Sequence, residues 1–237
     1  MERESGTLYV VATPIGNLKD ITYRAVEILM NADFIICEDT RVTKILLDHY
    51  AILKPLVVIN AQSETKMIPK VIDRLSSGES CALVSDAGTP CISDPGIRLV
   101  NAAIKNEIAV SGIPGPNAAL LALSISGIPT DSFVFEGFLP QKKGRQKKLK
   151  ELSSEERTIV LYESTYRIKK LLEEIKQYMP ERQVLVAREL TKKFEETWRG
   201  TAESLLENFD KKINKGEFVV ILSPLSWKES ADHSESY

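Results

Sequence analysis

The stretch that decides the reading runs from residue 81 to residue 96, CALVSDAGTPCISDPG. Cys81, Ala82, Leu83 and Val84 are apolar without alternation, the pattern of a strand buried on both faces. A helical pattern resumes over Pro95–Lys105. Between them stand two Ser-Asp pairs, a threonine and two Gly/Pro clusters, far more than the roughly two to six residues that a plain strand-to-helix turn uses. So many backbone-shaping and hydrogen-bonding residues at a strand end suggest a loop built to receive something.

The same alternation extends outward. Leu8–Ala12, Asp33–Cys37, Leu56–Ile59 and Ile108–Val110 read as further strands. Helical patterns fall over Ile21–Met30, with Ile21, Ala25, Ile28 and Leu29 on one face, over Val42–Tyr50, and around Ile68, Val71, Ile72 and Leu75. For the helix after the opening stretch, Ser93 or Asp94 is the expected N-cap. Pro95 then sits in the first turn, and Ile97, Val100 and Ile104 form the buried stripe. Apolar strands separated by helices predict an α/β fold with a mostly parallel sheet covered on both faces. Gly112-Ile-Pro-Gly-Pro116 interrupts the pattern, so an N-terminal α/β domain is expected over residues 1–114.

A C-terminal domain is expected over 115–225, followed by a polar tail over 226–237. Asn117 is placed to cap a helix over Ala118–Ser126. Phe133–Gly137, Thr158–Tyr162, Gln183–Ala187 and Glu217–Leu222 read as strands, with Glu195–Arg199 a further candidate. Helices are expected near Gln141–Leu152, Tyr166–Tyr178 and Ala202–Asn214. The closer spacing of these strands predicts a mixed sheet.

Composition narrows the function. The chain has 237 residues, 43% hydrophobic and 27% charged, enough to bury a core without staples. A net charge of −2 means that any nucleic-acid binding must come from a local patch. Cys37, Cys81 and Cys91 form no C-x-x-C pair; Cys37 and Cys81 sit in apolar strand-like runs, and buried free thiols there fit a reducing cytoplasm. His49 and His233 are the only histidines, which argues against a zinc site or a Ser-His triad. The charged start MERESG and the short apolar run after it do not make a signal core, and no segment reaches membrane-spanning length, so a cytoplasmic protein is expected.

In open parallel sheets ligands bind beyond the carboxyl ends of the strands. Four turns would open there: Thr13-Pro-Ile-Gly-Asn-Leu18, Glu38-Asp-Thr-Arg41, Ser85-Asp-Ala-Gly-Thr-Pro90 and Gly112-Ile-Pro-Gly-Pro116. Any one alone reads as ordinary loop chemistry; four on one edge read as a site. Neither G-x-G-x-x-G nor G-x-x-x-x-G-K-[ST] occurs, so phosphate is not the obvious guest. Ser85-Asp86 is the functional candidate and Ser93-Asp94 the structural one. Asp39 or Thr40 can cap the next helix, or Glu38, Asp39 and Arg41 can line the rim. Lys142, Lys143, Arg145, Lys147, Lys148 and Lys150 form a run without an acid, either a solvated helix face or a phosphate-binding patch, and Arg167, Lys169, Lys170, Lys192 and Lys193 could extend it.

Taken together, LYVVATPIGNLKDITYRAVEIL, CEDTR, LVSDAGTPCISDPGIRLV, PGPNAALLALSISGIPTDSFVFEGFLPQKKG, YES and ARELTKKFEETWRGT resemble the tetrapyrrole methylase superfamily, and within it the branch that methylates ribosomal RNA. The match runs from about Leu8 to Leu222. The resemblance implies a two-domain α/β fold, a homodimer, and S-adenosylmethionine held in the cleft between the domains, with no metal. It implies donor contacts at Pro14, Ile15, Gly16, Asn17, Ser85, Asp86, Ala87, Gly88, Thr89, Pro90, Pro114, Gly115, Asn117 and Ala118. From the second domain it adds Leu161, Tyr162, Ala187, Gly216 and Glu217. The chain departs from the family at Asn60–Glu64, where only Glu64 of a His-Glu-x-x-Asn-Glu type segment is kept, and at Thr165-Tyr166, where Pro-His is usual.

The reaction so implied moves a methyl group to the ribose 2′-hydroxyl of a cytidine in 16S ribosomal RNA or the small ribosomal subunit. A sulfonium donor carries its own activation, so the protein supplies position and electrostatics. A ribose hydroxyl still has to lose its proton. Asp39 or Glu38 is expected near the acceptor, with Arg41 orienting a phosphate and Glu64 as a second candidate base. Two other readings stay open: methylation of a tetrapyrrole-type small molecule, or donor binding without catalysis.

Overall fold

In the computed structural model the described residues are 5–60, 63–209 and 215–227. The MERE start, Ala61-Gln62 in the divergent segment, the end of the helix expected to reach Asn214, and the tail from Lys228 lie outside them. The chain divides into two units, Met1–Asn117 and Ala118–Tyr237.

The first unit is built on five short strands, β1 (Thr7–Val11), β2 (Phe34–Cys37), β3 (Leu56–Val58), β4 (Cys81–Leu83) and β5 (Ala109–Ile113). They lie in the order β3-β2-β4-β1-β5 and every pairing is parallel. Helices α1 (Tyr23–Asn31), α2 (Thr40–His49), α3 (Glu64–Ser76) and α4 (Ile97–Lys105) alternate with them. Because successive strand residues point to opposite faces, the apolar strands feed two cores. Leu8, Phe34, Ile36, Cys81 and Leu83 pack with Val71, Ile72 and Leu75 of α3 and with Leu99 and Ala103 of α4. Val11, Ile35, Cys37 and Ala82 pack with Ala25 and Leu29 of α1 and with Leu46 and Leu47 of α2. Thus the chain leaves β1 and β2 toward one face, and leaves β4, which lies between them, toward the other. Adjacent strands that exit to opposite faces open a crevice at their carboxyl ends. Here the crevice flanks β4 on both sides.

Helix α4 starts later than its sequence suggests. Its N-cap is Gly96, at φ 124°, rather than Ser93 or Asp94. Cys91 (φ 69°) and Ser93 (φ 65°) also take left-handed backbone, so the segment coils before the helix begins. The helix phase is rotated accordingly. Leu99 and Ala103 are fully buried, whereas Ile97 and Ile104 are 63% and 61% exposed.

The second unit holds β6 (Phe133–Phe138), β7 (Thr158–Ser164), β8 (Gln183–Arg188), β9 (Glu196–Thr201) and β10 (Glu217–Leu222), in the order β6-β7-β10-β8-β9. Only β6 and β7 pair in parallel, so the sheet is mixed. Its helices are α5 (Ala118–Ser124), α6 (Arg145–Ser153), α7 (Ile168–Tyr178) and α8 (Ala202–Glu207). Leu149 and Leu152 of α6, Leu171, Leu172 and Ile175 of α7 and Leu205 of α8 cover Ile159, Leu161, Val184, Val186 and Val220 of one sheet face. Gly144, left-handed at φ 87°, is the N-cap of α6, so Gln141–Lys143 is loop rather than helix.

A Cβ on Gly96 would lie 2.7 Å from Leu83 Cδ2 and 3.0 Å from Cys91 Sγ, on a backbone that L-residues avoid. Gly96→Ala is expected to lower stability by about 1–3 kcal/mol, seen as a reduced urea midpoint. Exposed Gly127, also at positive φ but with open space around its Cβ position, should cost less on the same substitution.

Candidate active site

The loops at the carboxyl edge of the first sheet are hydrogen-bonded to one another. After β1, the Thr13 amide donates to the Gly88 carbonyl at 2.8 Å, and the Gly88 amide returns a bond to the Thr13 carbonyl at 3.1 Å. The Thr13 hydroxyl donates to the Ser85 carbonyl at 3.1 Å, and the Ser85 hydroxyl to the Gly88 carbonyl at 3.3 Å. Gly88 sits at φ 81°, which lets the chain double back against Thr13. On the other side, the Thr89 hydroxyl donates to the Pro116 carbonyl at 3.2 Å, and Asn117 Nδ2 donates to Thr89 Oγ1 at 3.4 Å. The Asp39 amide donates to Asp86 Oδ1 at 3.2 Å, tying in the turn after β2. Four separate turns thus form one rim.

Within this rim Pro14, Ile15, Ser85, Gly88 and Pro90 are buried, while Gly16, Asn17, Asp86, Ala87, Pro114 and Gly115 are exposed. The buried members hold the loops and the exposed ones present backbone groups to solvent. Gly115 presses on the residue that follows β1: a Cβ there would lie 3.0 Å from Ala12 Cβ.

Adjacent carboxylates at the end of β2 meet different fates. Asp39 caps α2, accepting from the Arg41 amide at 2.8 Å, and its carboxylate also takes the Arg41 guanidinium at 2.6 Å. Those hydrogen bonds hold Asp39 down at about 2, so it is a poor proton acceptor at neutral pH. Arg41, 88% exposed, is spent on the same pair. Glu38 is half-buried, and one carboxylate oxygen, Oε1, is buried without a hydrogen-bond partner. Burial lifts its carboxyl from 4.5 to about 7, and the charges of Asp94 and Asp86 add to the rise. Burial also raises Asp94, with the Ser85 hydroxyl beside it as a partial offset. Burial raises Asp86, and the Asp39 amide opposes it. Asp94 therefore belongs to this carboxylate group and does not cap α4. Its signal in the sequence was the second Ser-Asp pair, which repeats the first.

Glu64 opens α3 beyond the end of β3. It is 6% exposed, and its nearest cation is Arg98 Nε at 3.8 Å; Oε1 has no partner. Its charge reaches the Cys91 thiol, as does that of Asp94.

In the second unit, Ala118 begins α5. The Tyr162 hydroxyl accepts from the Ala119 amide at 3.2 Å. Tyr162, Val219 and Ala187 form a row across β7, β10 and β8. Leu161 points the other way, into the helix-covered core, so only its backbone is available at this row. Gly216 exchanges 2.6 Å hydrogen bonds with the Thr165 hydroxyl, and Glu217 pairs with Lys192 at 2.7 Å.

The basic run is not uniform. Lys142, Lys143, Lys147 and Lys150 are exposed, and Lys148 is half-buried against Glu136 at 2.7 Å. Arg145 corrects the sequence reading. It is 3% exposed, with its guanidinium on Glu174 at 2.7 Å and Glu163 at 3.5 Å, and so it cannot serve as a surface contact. Among the described residues, no group of three or more His, Cys, Asp or Glu is placed to hold a metal ion, and no helix is long and apolar enough to cross a membrane.

A five-stranded parallel sheet with a crevice beside β4, followed by a five-stranded mixed sheet, defines a two-unit α/β architecture. Residues 7–206 match the family model for tetrapyrrole (corrin/porphyrin) methylases, and the chain belongs to that family. It is 49% identical to the ribosomal RNA small subunit methyltransferase I of Halalkalibacterium halodurans, over 92% of this chain and 76% of that protein. It is 44% identical to the protein of the same name from Thermotoga maritima, over 92% of this chain and 98% of that one. Uroporphyrin-III C-methyltransferase from Thermus thermophilus, solved in complex with S-adenosyl homocysteine, shares the fold with a TM-score of 0.63 at 16% identity, covering 93% of this chain and 98% of that one.

The raised carboxyl of Glu38 has a consequence for stability. Its folded value of about 7 lies above its ordinary 4.5, so its favourable contribution is complete below about pH 4.5 and is lost as pH rises through about 7. Glu38→Gln is expected to raise the thermal midpoint at pH 8 relative to the parent and to change it little at pH 4.5. Equal shifts at both pH values would mean that Glu38 does not titrate in this range.

Proposed function

We propose that this protein transfers the methyl group of S-adenosylmethionine to the ribose 2′-hydroxyl of a cytidine in 16S ribosomal RNA. The observation that carries the reading is the 49% identity to a ribosomal RNA small subunit methyltransferase I over 92% of the chain. The rim around β4 fits the donor. Its loops offer exposed backbone at Gly16, Asn17, Ala87 and Gly115, and the Asp86 carboxylate as an acceptor, for a nucleoside and an amino acid moiety. Gly88 and Gly115 let the loops pack closely on Ile15 and Ala12, which fixes the rim that would receive the donor. When bound, the donor's sulfonium supplies an activated methyl group that needs no further activation from the protein.

The protein's own task is then to place the acceptor hydroxyl in line and take its proton. Glu38 suits this better than Asp39. A carboxyl at about 7 is a matched acceptor near neutral pH, whereas one at about 2 is not. Burial, helped by the charges of Asp94 and Asp86, keeps Glu38 high, and Asp39 with Arg41 shapes the rim. Glu64 remains a second candidate base. Exposed Lys142, Lys143, Lys147 and Lys150 supply phosphate contacts that a small tetrapyrrole substrate would not need. We further infer a cytoplasmic homodimer that needs no metal.

Labelled methyl transfer to undermethylated small ribosomal subunits, run beside uroporphyrinogen, is expected to give signal on the RNA alone. Transfer should rise with pH toward a plateau above about 7. Glu38→Gln should lower turnover by about 10²–10⁴-fold and flatten that limb, with donor affinity by calorimetry preserved. Transfer to uroporphyrinogen in place of RNA would reverse the assignment, and donor binding without transfer to either would leave a non-catalytic protein.

A further inference from the structure

The second sheet gathers cations and aromatic rings that are far apart in sequence. Strands β6, β7 and β8 run in one direction, while β9 and β10 run against them. The carboxyl ends of β6, β7 and β8 therefore share one sheet end with the starts of β9 and β10. The segments meeting there are Leu139–Gly144, Thr165–Arg167, Glu189–Glu195 and Lys215-Gly216. They bring Lys142, Lys143, Lys193 and Lys215 to the same end of the sheet, all exposed. Two large rings stand in water beside them: Tyr166, 95% exposed, and Phe194, 61% exposed.

We propose that this sheet end is a single-stranded RNA platform, on which Tyr166 and Phe194 stack bases while Lys142, Lys143, Lys193 and Lys215 meet the phosphates. The proposal rests on the reading that the substrate is RNA, and says which part of the chain grips it.

Three observations support it. First, charge is asymmetric. Glu189 and Glu217 are both taken by Lys192, at 3.0 Å and 2.7 Å, and Glu195 accepts from the Thr191 amide. The four lysines named have no carboxylate within ion-pair distance among the described residues, so they are available to an external anion. Second, Lys193 Nζ lies 5.5 Å from the Phe194 ring centroid, which sets a cation and a π-face side by side as a nucleotide would use them. Third, the loops are held from beneath. The buried Arg188 guanidinium donates to the Lys215 carbonyl at 2.6 Å and to the Phe194 carbonyl at 3.0 Å. Buried Glu163 pairs with Arg167 and Arg145, which donate onward to the Leu139 and Pro140 carbonyls. The cations and rings therefore stand on a fixed base, which lowers the ordering cost of binding.

The size agrees. Five strands span about 19 Å at a spacing of about 4.8 Å, the length of roughly five stacked nucleotides. Exposed rings select single strands because only an unpaired base offers its face; an A-form duplex presents phosphates and 2′-hydroxyls instead.

The experiment is fluorescence anisotropy with the whole protein, without donor, using a labelled oligocytidylate and an RNA duplex of matching length. The parent should prefer the single strand. Tyr166→Ala and Phe194→Ala should each weaken oligocytidylate binding about tenfold, and Tyr166→Phe should stay within about twofold. Lys142→Gln with Lys143→Gln should lower the slope of log affinity against log salt by about 1.4. Full-strength binding by both alanine variants, or equal binding of duplex and single strand, overturns the platform. Methyl transfer to small subunits by the parent separates the two readings. Transfer to RNA with stacking-independent binding sinks the platform alone; ring-dependent binding with no transfer keeps the platform and removes the proposed reaction.

Discussion

The opposite exit of β4 from its two neighbours is the constraint on which the first unit depends. Parallel strands need right-handed crossovers, and the order β3-β2-β4-β1-β5 leaves no other route. The chain leaving β4 must reach the face opposite to the one used by β1 and β2. Its loop also lies between theirs, where it can bond to both. The antiparallel Thr13–Gly88 bridge on one side and the Asp39–Asp86 bond on the other are the result. This accounts for the length of the segment from Ser85 to Gly96. The first half bonds to the neighbouring turns, and the second half coils through left-handed Cys91 and Ser93 to start α4 against β4.

The same placement separates two adjacent carboxylates. Asp39 lies one residue further from the strand, where it can cap α2 and reach Arg41. Glu38 lies at the strand end itself, beside Asp86 and Asp94 and with no ion pair among the described residues. A carboxylate in such a place is costly, because burial and like charge both oppose ionisation. Nothing in the packing of the sheet requires it, since an apolar side chain at that position would be cheaper. An expense of this kind is better explained by chemistry at the rim than by the fold.

Much of this was legible in the sequence, for physical reasons. Unbroken apolar runs such as Phe34–Cys37 mark strands buried on both faces, and the parallel sheet followed from their alternation with helices. The four turns on one edge followed from that sheet. Other features were not legible, because they depend on single backbone angles or on distant partners. The start of α4 moved because Gly96 takes a positive φ, which no periodicity reveals. Arg145 was hidden among lysines, because its partners Glu163 and Glu174 lie 18 and 29 residues away. Asp94 looked like a cap because Ser-Asp-Pro is a common way to begin a helix.

Arg145 also shows how the second unit divides its cations. Arginine's planar fork can satisfy two carboxylates and a carbonyl while buried, whereas a lysine's point charge prefers water. Arg145, Arg182 and Arg188 are buried and spent on carbonyls and carboxylates. Lys142, Lys143, Lys147, Lys150 and Lys193 remain in solvent. A chain with a net charge of −2 can therefore still present a cationic surface. What matters is not the sum but which cations are consumed internally. Here buried arginines fix the loops, and exposed lysines such as Lys142, Lys143 and Lys193 stay in solvent to meet a polyanion, whose affinity would then fall steeply with salt.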